Sequence, residues 1–324
     1  MTVKTDFSRE DVIEILSNYK LGDFVDFNYI SEGTVQTNLL IKTTGGNYVL
    51  RYYENRPLES VLFEINLIRY LRRRNYPCPA PFKNRDGDFT GMYNNKPYAI
   101  FEFIDGEHIE NPDEGQRRQL IRRVAELHNI TKNYRPLYRK FRWNYSAELC
   151  KRLAQEKAER TGTTDSKRKL NWLENELSSL KLPGSLPKGI CHCDLHFSNI
   201  LFKNGELVAL IDFDDANYTF LIYDLAALID PLIFTYSWDN WDKYKMIDDV
   251  FDFGEARKVI SEYMRYRPLN NTEKKYLFDV LKLSILIDCL WYFERGDSDD
   301  FYEKRKIDHL NMKGRDRFYL ELFG

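Results

Sequence analysis

The sequence predicts an α+β fold in two lobes, a small one built on an antiparallel sheet and a larger one that is mainly helical. Three observations lead there. A chain of 324 residues can bury a sizeable core and has the length of two lobes. Apolar and β-branched residues recur at strand spacing in five stretches between Phe24 and Phe103, interrupted by one helical stretch, and at helical spacing over most of the remaining chain. The two regimes meet at Ile104-Asp105-Gly106, so the expected division is 1–104 and 105–324.

From the N-terminus, Ser8 ahead of Glu10, Asp11 and the apolar set Val12, Ile13, Ile15 and Leu16 predicts an N-capped helix ending near Gly22. Phe24 to Ser31, Thr37 to Thr43 and Tyr48 to Tyr53, separated by Glu32-Gly33 and Gly45-Gly46, predict three antiparallel strands. Glu59 to Arg74 has helical spacing and a basic end that suits the negative pole of the helix dipole, and Pro77, Pro79 and Pro81 stop it. Strands are expected again at Gly87 to Tyr93 and Pro97 to Phe103. Helices are expected at Gln116 to His128, Ser146 to Ala158, Lys167 to Leu180, Tyr223 to Ile233, Gly254 to Tyr266 and Glu273 to Arg295. A polar, mobile loop is expected around Lys157 to Lys169, and a β-rich patch at Gly189 to Phe213.

Composition narrows the function classes. Hydrophobic content of 43% with 30% charged residues fits a globular chain, and 15% aromatics suggest an aromatic-rich core or cleft. A net charge of −2 argues against electrostatic binding to nucleic acid, which needs a concentrated basic surface. The arginines 69, 72, 73 and 74 have no aromatic stacking platform beside them and suit a solvated helix end. From Pro187 onward acids outnumber bases, which would suit a substrate carrying an amine. Five cysteines do not form a dense disulfide framework, and reduced thiols imply a cytoplasmic setting. The first residues run into a charged segment, and no apolar stretch reaches the roughly 18 residues of a membrane span, so neither secretion nor membrane insertion is expected.

The chemistry concentrates in one pattern. His192, Asp194 and Asn199 form His-x-Asp-x-x-x-x-Asn, followed by an apolar strand, a turn at Asn204-Gly205, and a second strand that delivers Asp212 and Phe213. Phosphoryl transfer from a nucleotide requires a fixed metal and phosphates, and a carboxylate beside the attacking hydroxyl. Asp194 would accept or orient the hydroxyl proton, while Asn199 and Asp212 offer the hard oxygen ligands that suit Mg2+. Cys191, His192, Cys193 and His196 are also ligand-type residues, but they lack the second pair that a structural zinc site uses. His192 reads instead as a buried hydrogen-bonding residue that shapes the loop.

With this hairpin, the preceding β-lobe and Tyr223-Asp224-Leu225-Ala226, the chain resembles the aminoglycoside phosphotransferase and choline kinase superfamily over almost its whole length. Within it, the closest resemblance is to the type II homoserine kinases, through Ile30-Ser31-Glu32-Gly33 with Thr37-Asn38, Tyr76-Pro77-Cys78-Pro79-Ala80-Pro81, and Tyr263 to Leu269 with Glu273. The resemblance implies a protein-kinase-like two-lobed fold that binds nucleotide in the first lobe and holds the catalytic hairpin and acceptor site in the second. It implies Asp194 as catalytic base supported by His192 and Asp224, the latter bracing the loop through backbone hydrogen bonds. It implies Asn199 and Asp212 as magnesium ligands. It also implies an ATP-phosphate loop from Ser31 to Asn38, with Gly33, Thr34 and Thr37. That loop has only Gly33 of a glycine-rich pattern, and a plain hairpin turn would read the same. Arg51 stands where such enzymes place a basic residue against the α and β phosphates, with Glu64 as its ion-pair partner or an ordinary helix charge. Glu102, Phe103 and Ile104 would form the hinge that reads adenine.

The acceptor would sit beside Asp194, with His196, Asp214, Asp215, Trp291 and Arg295 as its expected neighbours, and Asp230, Trp238 and Trp241 as further wall residues. Trp291, with Tyr292 and Phe293 at consecutive helix positions, also suits core packing. Asp214 and Asp215 depart from the homoserine kinases, which carry aromatic residues at that point. The expected activity is ATP-dependent transfer of the γ-phosphate to a hydroxyl of a small amine-bearing metabolite, homoserine first. An aminoglycoside, choline, ethanolamine, hydroxylysine or a sugar are alternatives on the same scaffold. A reading of another class is a nucleotide-binding regulatory module, whose usual signature is loss of the base or metal ligands; Asp194, Asn199 and Asp212 are all present. Partners are expected to be the small-molecule acceptor alone, with no nucleic acid or membrane, in a monomer or homodimer.

Overall fold

The computed structural model describes residues 4–30, 35–290, 293 and 299–324. Helix α1 (Arg9–Ser17) opens on a capping box: Ser8 Oγ accepts the Asp11 N–H at 3.1 Å, and the Asp11 carboxylate accepts the Ser8 N–H at 2.8 Å. Strands β1 (Phe24–Tyr29), β2 (Thr37–Thr43) and β3 (Gly46–Tyr52) come next, then helix α2 (Leu58–Arg72), β4 (Gly91–Tyr93) and β5 (Lys96–Glu102). The five strands form one antiparallel sheet in the order β1-β2-β3-β5-β4. Its register sets Asn38 opposite Arg51. The sheet packs on α1 through Val12, Ile15, Leu16, Leu39, Ile41, Leu50 and Ile100, all almost completely buried. The expected strand at Gly87 to Tyr93 begins only at Gly91, because Asn84 and Asp88 close a turn on each other through both backbone and side chain.

Helix α3 (Glu114–Ile130) begins the helical region, followed by α4 (Ala147–Thr161) and α5 (Thr164–Ser178). The mobile loop expected at Lys157 to Lys169 is instead a tight connection. Gly162 ends α4 in the left-handed region at φ +68°, and Thr163 caps α5 by accepting the Ser166 N–H. Strand β6 (Lys188–Cys191), the hairpin β7 (Ile200–Lys203) and β8 (Glu206–Leu210), and β9 (Asn217–Phe220) come next. The β7–β8 turn is built on Asn204 and Gly205 at φ +53° and +80°, the pair of left-handed residues that a two-residue hairpin requires. Helices α6 (Ile222–Ile233) and α7 (Gly254–Tyr266) agree with the spacing. Helix α8 (Asn271–Asp288) begins as expected but stops at Asp288 with Cys289 and Leu290 in a turn, the rest of the expected span to Arg295 lying mostly outside the described residues. Helices α9 (Tyr302–Lys313) and α10 (Arg315–Phe323) complete the chain. The last two are not among the expected helices, because their sequence is polar enough to hide the apolar stripe of Ile307, Leu310, Phe318 and Leu322.

The chain divides into two compact units. The first comprises Met1–Leu120, Asn133–Arg142 and His196–Ala216; the second comprises Ile121–Lys132, Trp143–Leu195 and Asn217–Gly324. The β7–β8 hairpin joins the first unit because Glu107 exchanges backbone hydrogen bonds with Phe202, at 2.8 and 2.9 Å, and Gln119 bonds the backbone of Gly205 and Leu207. In the second unit β6 pairs with β9, with Cys191 opposite Asn217. No helix among the described residues is long and apolar enough to cross a membrane.

Candidate active site

In the first unit the hairpin places Asn199 and Asp212 at the two ends of its strands. Asn199 is buried at the end of a 3-10 turn, Phe197–Asn199, capped by His196, whose Nδ1 accepts the Ser198 N–H at 3.3 Å. The Ile211 N–H donates to the Asn199 carbonyl at 2.9 Å, so the residue before Asp212 is tied to Asn199. Asp212 itself has φ +60° and ψ +67°. A non-glycine residue there costs about 1 kcal/mol, so the surrounding contacts have to hold it. Arg142 supplies them: its guanidinium donates to the carbonyls of Phe213, Asp214 and Ala216, and to Ser60 Oγ at 3.0 Å.

Arg51 collects three acceptors. Its Nε donates to Asn38 Oδ1 at 3.1 Å, and its Nη1 reaches Glu64 Oε1 at 3.3 Å and Asp212 Oδ1 at 2.9 Å. Glu64 is 1% exposed on α2 and also accepts the Tyr53 hydroxyl at 3.0 Å. Burial pushes the Glu64 carboxyl up to about 7, against the pull of Arg51. The Asn199 amide and the Asp212 carboxylate are hard oxygen donors tied to each other by the hairpin, a donor set that fits a magnesium ion.

Asp214 and Asp215, expected on an acceptor wall, are engaged within the first unit. Arg56 grips Asp214 through Nε at 3.0 Å to Oδ1 and Nη2 at 3.1 Å to Oδ2, and Gln36 Nε2 donates to Oδ2 at 2.8 Å. Burial alone would raise the Asp214 pKa, but Arg56, Arg142 and Arg51 hold it below the usual carboxylate range. Asp215 takes Arg56 Nη2 at 2.9 Å. Both aspartates are therefore tied to Arg56 in the turn that carries Asp212. Thr37 is buried and gives its hydroxyl to Glu54 Oε1 at 2.6 Å. Glu102 pairs with Arg72 at 3.4 Å and its N–H donates to the Ala80 carbonyl at 2.8 Å, while Phe103 and Ile104 are half-buried. Ser31, Gly33, Thr34, Trp291 and Arg295 lie outside the described residues.

In the second unit the loop carrying Asp194 is held from beneath. Asp224 is fully buried near the start of α6, and its two oxygens accept the backbone N–H groups of His192 at 2.8 Å and Cys193 at 2.9 Å. Cys193 has φ +67°, a left-handed turn that redirects the chain just before Asp194. His128 Nε2 lies 3.1 Å from Asp224 Oδ2, and its Nδ1 lies 2.6 Å from the Tyr263 hydroxyl. Asp194 is half-buried. His128, Cys191 and Asp224 are close enough to hold a metal ion, but Asp224 already spends its oxygens on backbone N–H groups. Burial pushes the Cys191 thiol well up, and its Sγ donates to the Phe220 carbonyl at 3.2 Å. The cluster is a hydrogen-bonded brace.

Sequence reasoning missed Gln36, Tyr53, Arg56, His128 and Arg142. Arg56 and Asp214 are 158 positions apart, and no local spacing links such a pair. Arg142 likewise binds carbonyls more than 70 positions away, and its burial is visible only in the fold.

A model of the phosphotransferase enzyme family matches residues 26–268. The homoserine kinase of Rhodopseudomonas palustris (strain BisA53) is 30% identical over 316 residues, covering 96% of this chain and 88% of that protein. The homoserine kinase of Rhodospirillum rubrum is 32% identical over 276 residues, covering 84% and 81%. Among solved structures, an amicoumacin kinase in complex with AMP-PNP, Ca2+ and Ami has a TM-score of 0.65 at 17% identity, covering 96% of this chain and 94% of that one. Choline kinase from Cryptosporidium parvum Iowa II has a TM-score of 0.65 at 15% identity, covering 98% of each. These structural likenesses speak for the fold, which is the protein-kinase-like one.

Proposed function

This chain belongs to the phosphotransferase enzyme family and is a small-molecule kinase, and we propose that it phosphorylates the hydroxyl of homoserine, using ATP and magnesium. The observation that carries the choice of acceptor is the identity of about 30% with homoserine kinases over nearly the whole chain. The residues support the chemistry independently.

Asp194 is the base in this reading. It accepts the proton of the acceptor hydroxyl as the oxygen bonds to the γ-phosphorus, the bond from that phosphorus to the β–γ bridging oxygen breaks, and ADP leaves. Asp224 positions Asp194 through the backbone N–H groups of His192 and Cys193. Asn199 and Asp212 would hold magnesium, which when bound offsets the negative charge of the phosphate oxygens. Arg51 neutralises phosphate charge, and Asn38 and Glu64 fix its orientation.

The experiment is an ADP-release assay of the purified protein with MgATP. Its acceptor panel is L-homoserine, ethanolamine, choline, hydroxylysine, a sugar and an aminoglycoside. Homoserine should give the highest kcat/KM, and Asp194→Ala should lower turnover by about 10³-fold or more. Unchanged turnover in Asp194→Ala would sink the assignment of the base, and a higher kcat/KM for another acceptor would replace homoserine.

A further inference from the structure

Besides Asp194 and Asp224, the second unit holds a separate group of acids. Asp230 on α6, Asp288 at the end of α8 and Glu303 in the first turn of α9 act on one another electrostatically, and Asp288 also feels the charge of Asp194. Lys306 pairs with Asp230 Oδ2, and the charges of Lys306 and Lys169 both act on Glu303. Acids outnumber these two cations. Burial first, then the charge of Asp230, pushes the Asp288 carboxyl up to about 7 against the pull of Lys306. The residue is crowded by protein yet keeps an open side: Asp288 is exposed although Ile287 and Cys289 beside it are buried, so a solute can reach it.

Two carboxylate oxygens in this group, Asp230 Oδ1 and Glu303 Oε2, are buried without a hydrogen-bond partner among the described residues. Glu303 is only 4% exposed. Buried acceptors are normally satisfied, and exceptions call for a donor from a ligand, ion or water. We propose that Asp230, Asp288 and Glu303 bind the ammonium group of the phosphate acceptor, and that they select a primary ammonium. The proposal rests on the kinase reading. A surplus of negative charge calls for a cation, and unpaired acceptor oxygens call for one with N–H groups. A primary ammonium has three, whereas a quaternary ammonium has none. Within the same unit, Asp288 also feels the charge of Asp194, the group assigned to the acceptor hydroxyl.

The test pairs binding with turnover. Calorimetric titration and ADP-release kinetics are run with L-homoserine, with 4-hydroxybutyrate, which lacks only the amine, and with choline. Wild type should favour homoserine over 4-hydroxybutyrate by about 100-fold in kcat/KM and should not bind choline. Asp288→Asn and Glu303→Gln should each raise the homoserine Kd and KM about tenfold, leave the KM for ATP unchanged and shrink the discrimination against 4-hydroxybutyrate. Because each change removes one of several repelling charges, both variants should also melt at a higher temperature than wild type, which guards against loss of folding as the explanation. Full discrimination retained in both variants, alongside normal turnover, overturns the ammonium site and spares the kinase reading. Amine-selective binding that depends on Asp288 without any turnover overturns the kinase reading and spares the site. If wild type binds homoserine no better than 4-hydroxybutyrate, or binds choline as well, the proposal is wrong.

Discussion

Arg51 Nη1 lies 2.9 Å from Asp212 Oδ1, joining β3 to a residue 161 positions further along the chain. The same guanidinium also holds Asn38 and Glu64, so one planar fork fixes two strands and a helix around the assigned metal ligand.

A lysine cannot reproduce that fork. Arg51→Lys keeps the charge but loses the simultaneous bonds to Asn38 and Asp212, so the KM for ATP should rise about tenfold with a smaller change in the KM for the acceptor. Arg51→Met should raise it further. Steady-state kinetics with each substrate varied in turn measures both, and an unaltered KM for ATP in Arg51→Met would remove Arg51 from the nucleotide site.

Asp224 carries a stability prediction as well as a catalytic one. Asp224→Ala strands the buried N–H of His192 and the half-buried N–H of Cys193, a loss of about 3 kcal/mol in urea unfolding. Asp224→Asn keeps one acceptor oxygen and should lose less. At matched folded fractions its kcat should still fall, because the Cys193 turn before Asp194 loses one of its ties.

Arg142 should matter for the metal without touching it. In Arg142→Ala the carbonyls of Phe213, Asp214 and Ala216 lose these donors, and the left-handed conformation of Asp212 is left to the weaker hold of Arg51 and of the Asp214 N–H on its side chain. The magnesium concentration for half-maximal activity should rise about tenfold, with an unfolding loss of about 3 kcal/mol. Arg142→Lys should recover only part of either, since lysine lacks the fork that reaches several carbonyls at once. A magnesium titration beside urea melts separates the two effects.

His309 gives the pH dependence. It is buried between Tyr236 and Phe251, and its Nε2 has no partner among the described residues. Burial first, then Arg305, lowers its pKa below the usual histidine value. The unfolded chain therefore takes up its proton more readily than the folded one. Stability that is full above the unfolded pKa of about 6.5 is lost as pH falls through the lower folded value. Melting curves at pH 7.5 and 5 should show this acid loss in wild type and a smaller one in His309→Phe. Equal acid losses in the two proteins would contradict the assignment.

By itself the sequence determined the α+β class, the strands of the small sheet, most of the helices and the hairpin that ends at Asp212. These are local: strand and helix periods, the Ser8 cap, the Asn204-Gly205 turn and the proline run after α2 all act within a few residues. The elements missed or misread were those whose local signal was weak, such as α9 and α10 with their polar faces. The two-residue Gly162-Thr163 junction also reads as a loop unless its two caps are taken together.

Tertiary structure decided which charges are already spent. Sequence shows Asp214 and Asp215 only as two acids just past the hairpin that ends at Asp212, and folding alone brings Arg56, Arg142 and Gln36 to this turn across a long stretch of chain. Folding equally gathers Asp230, Asp288 and Glu303 from three helices into a group with more carboxylates than cations. The reason is physical: the charge of a side chain is set by its chemistry, but whether that charge is available to a ligand depends on burial and on partners that no local spacing can specify.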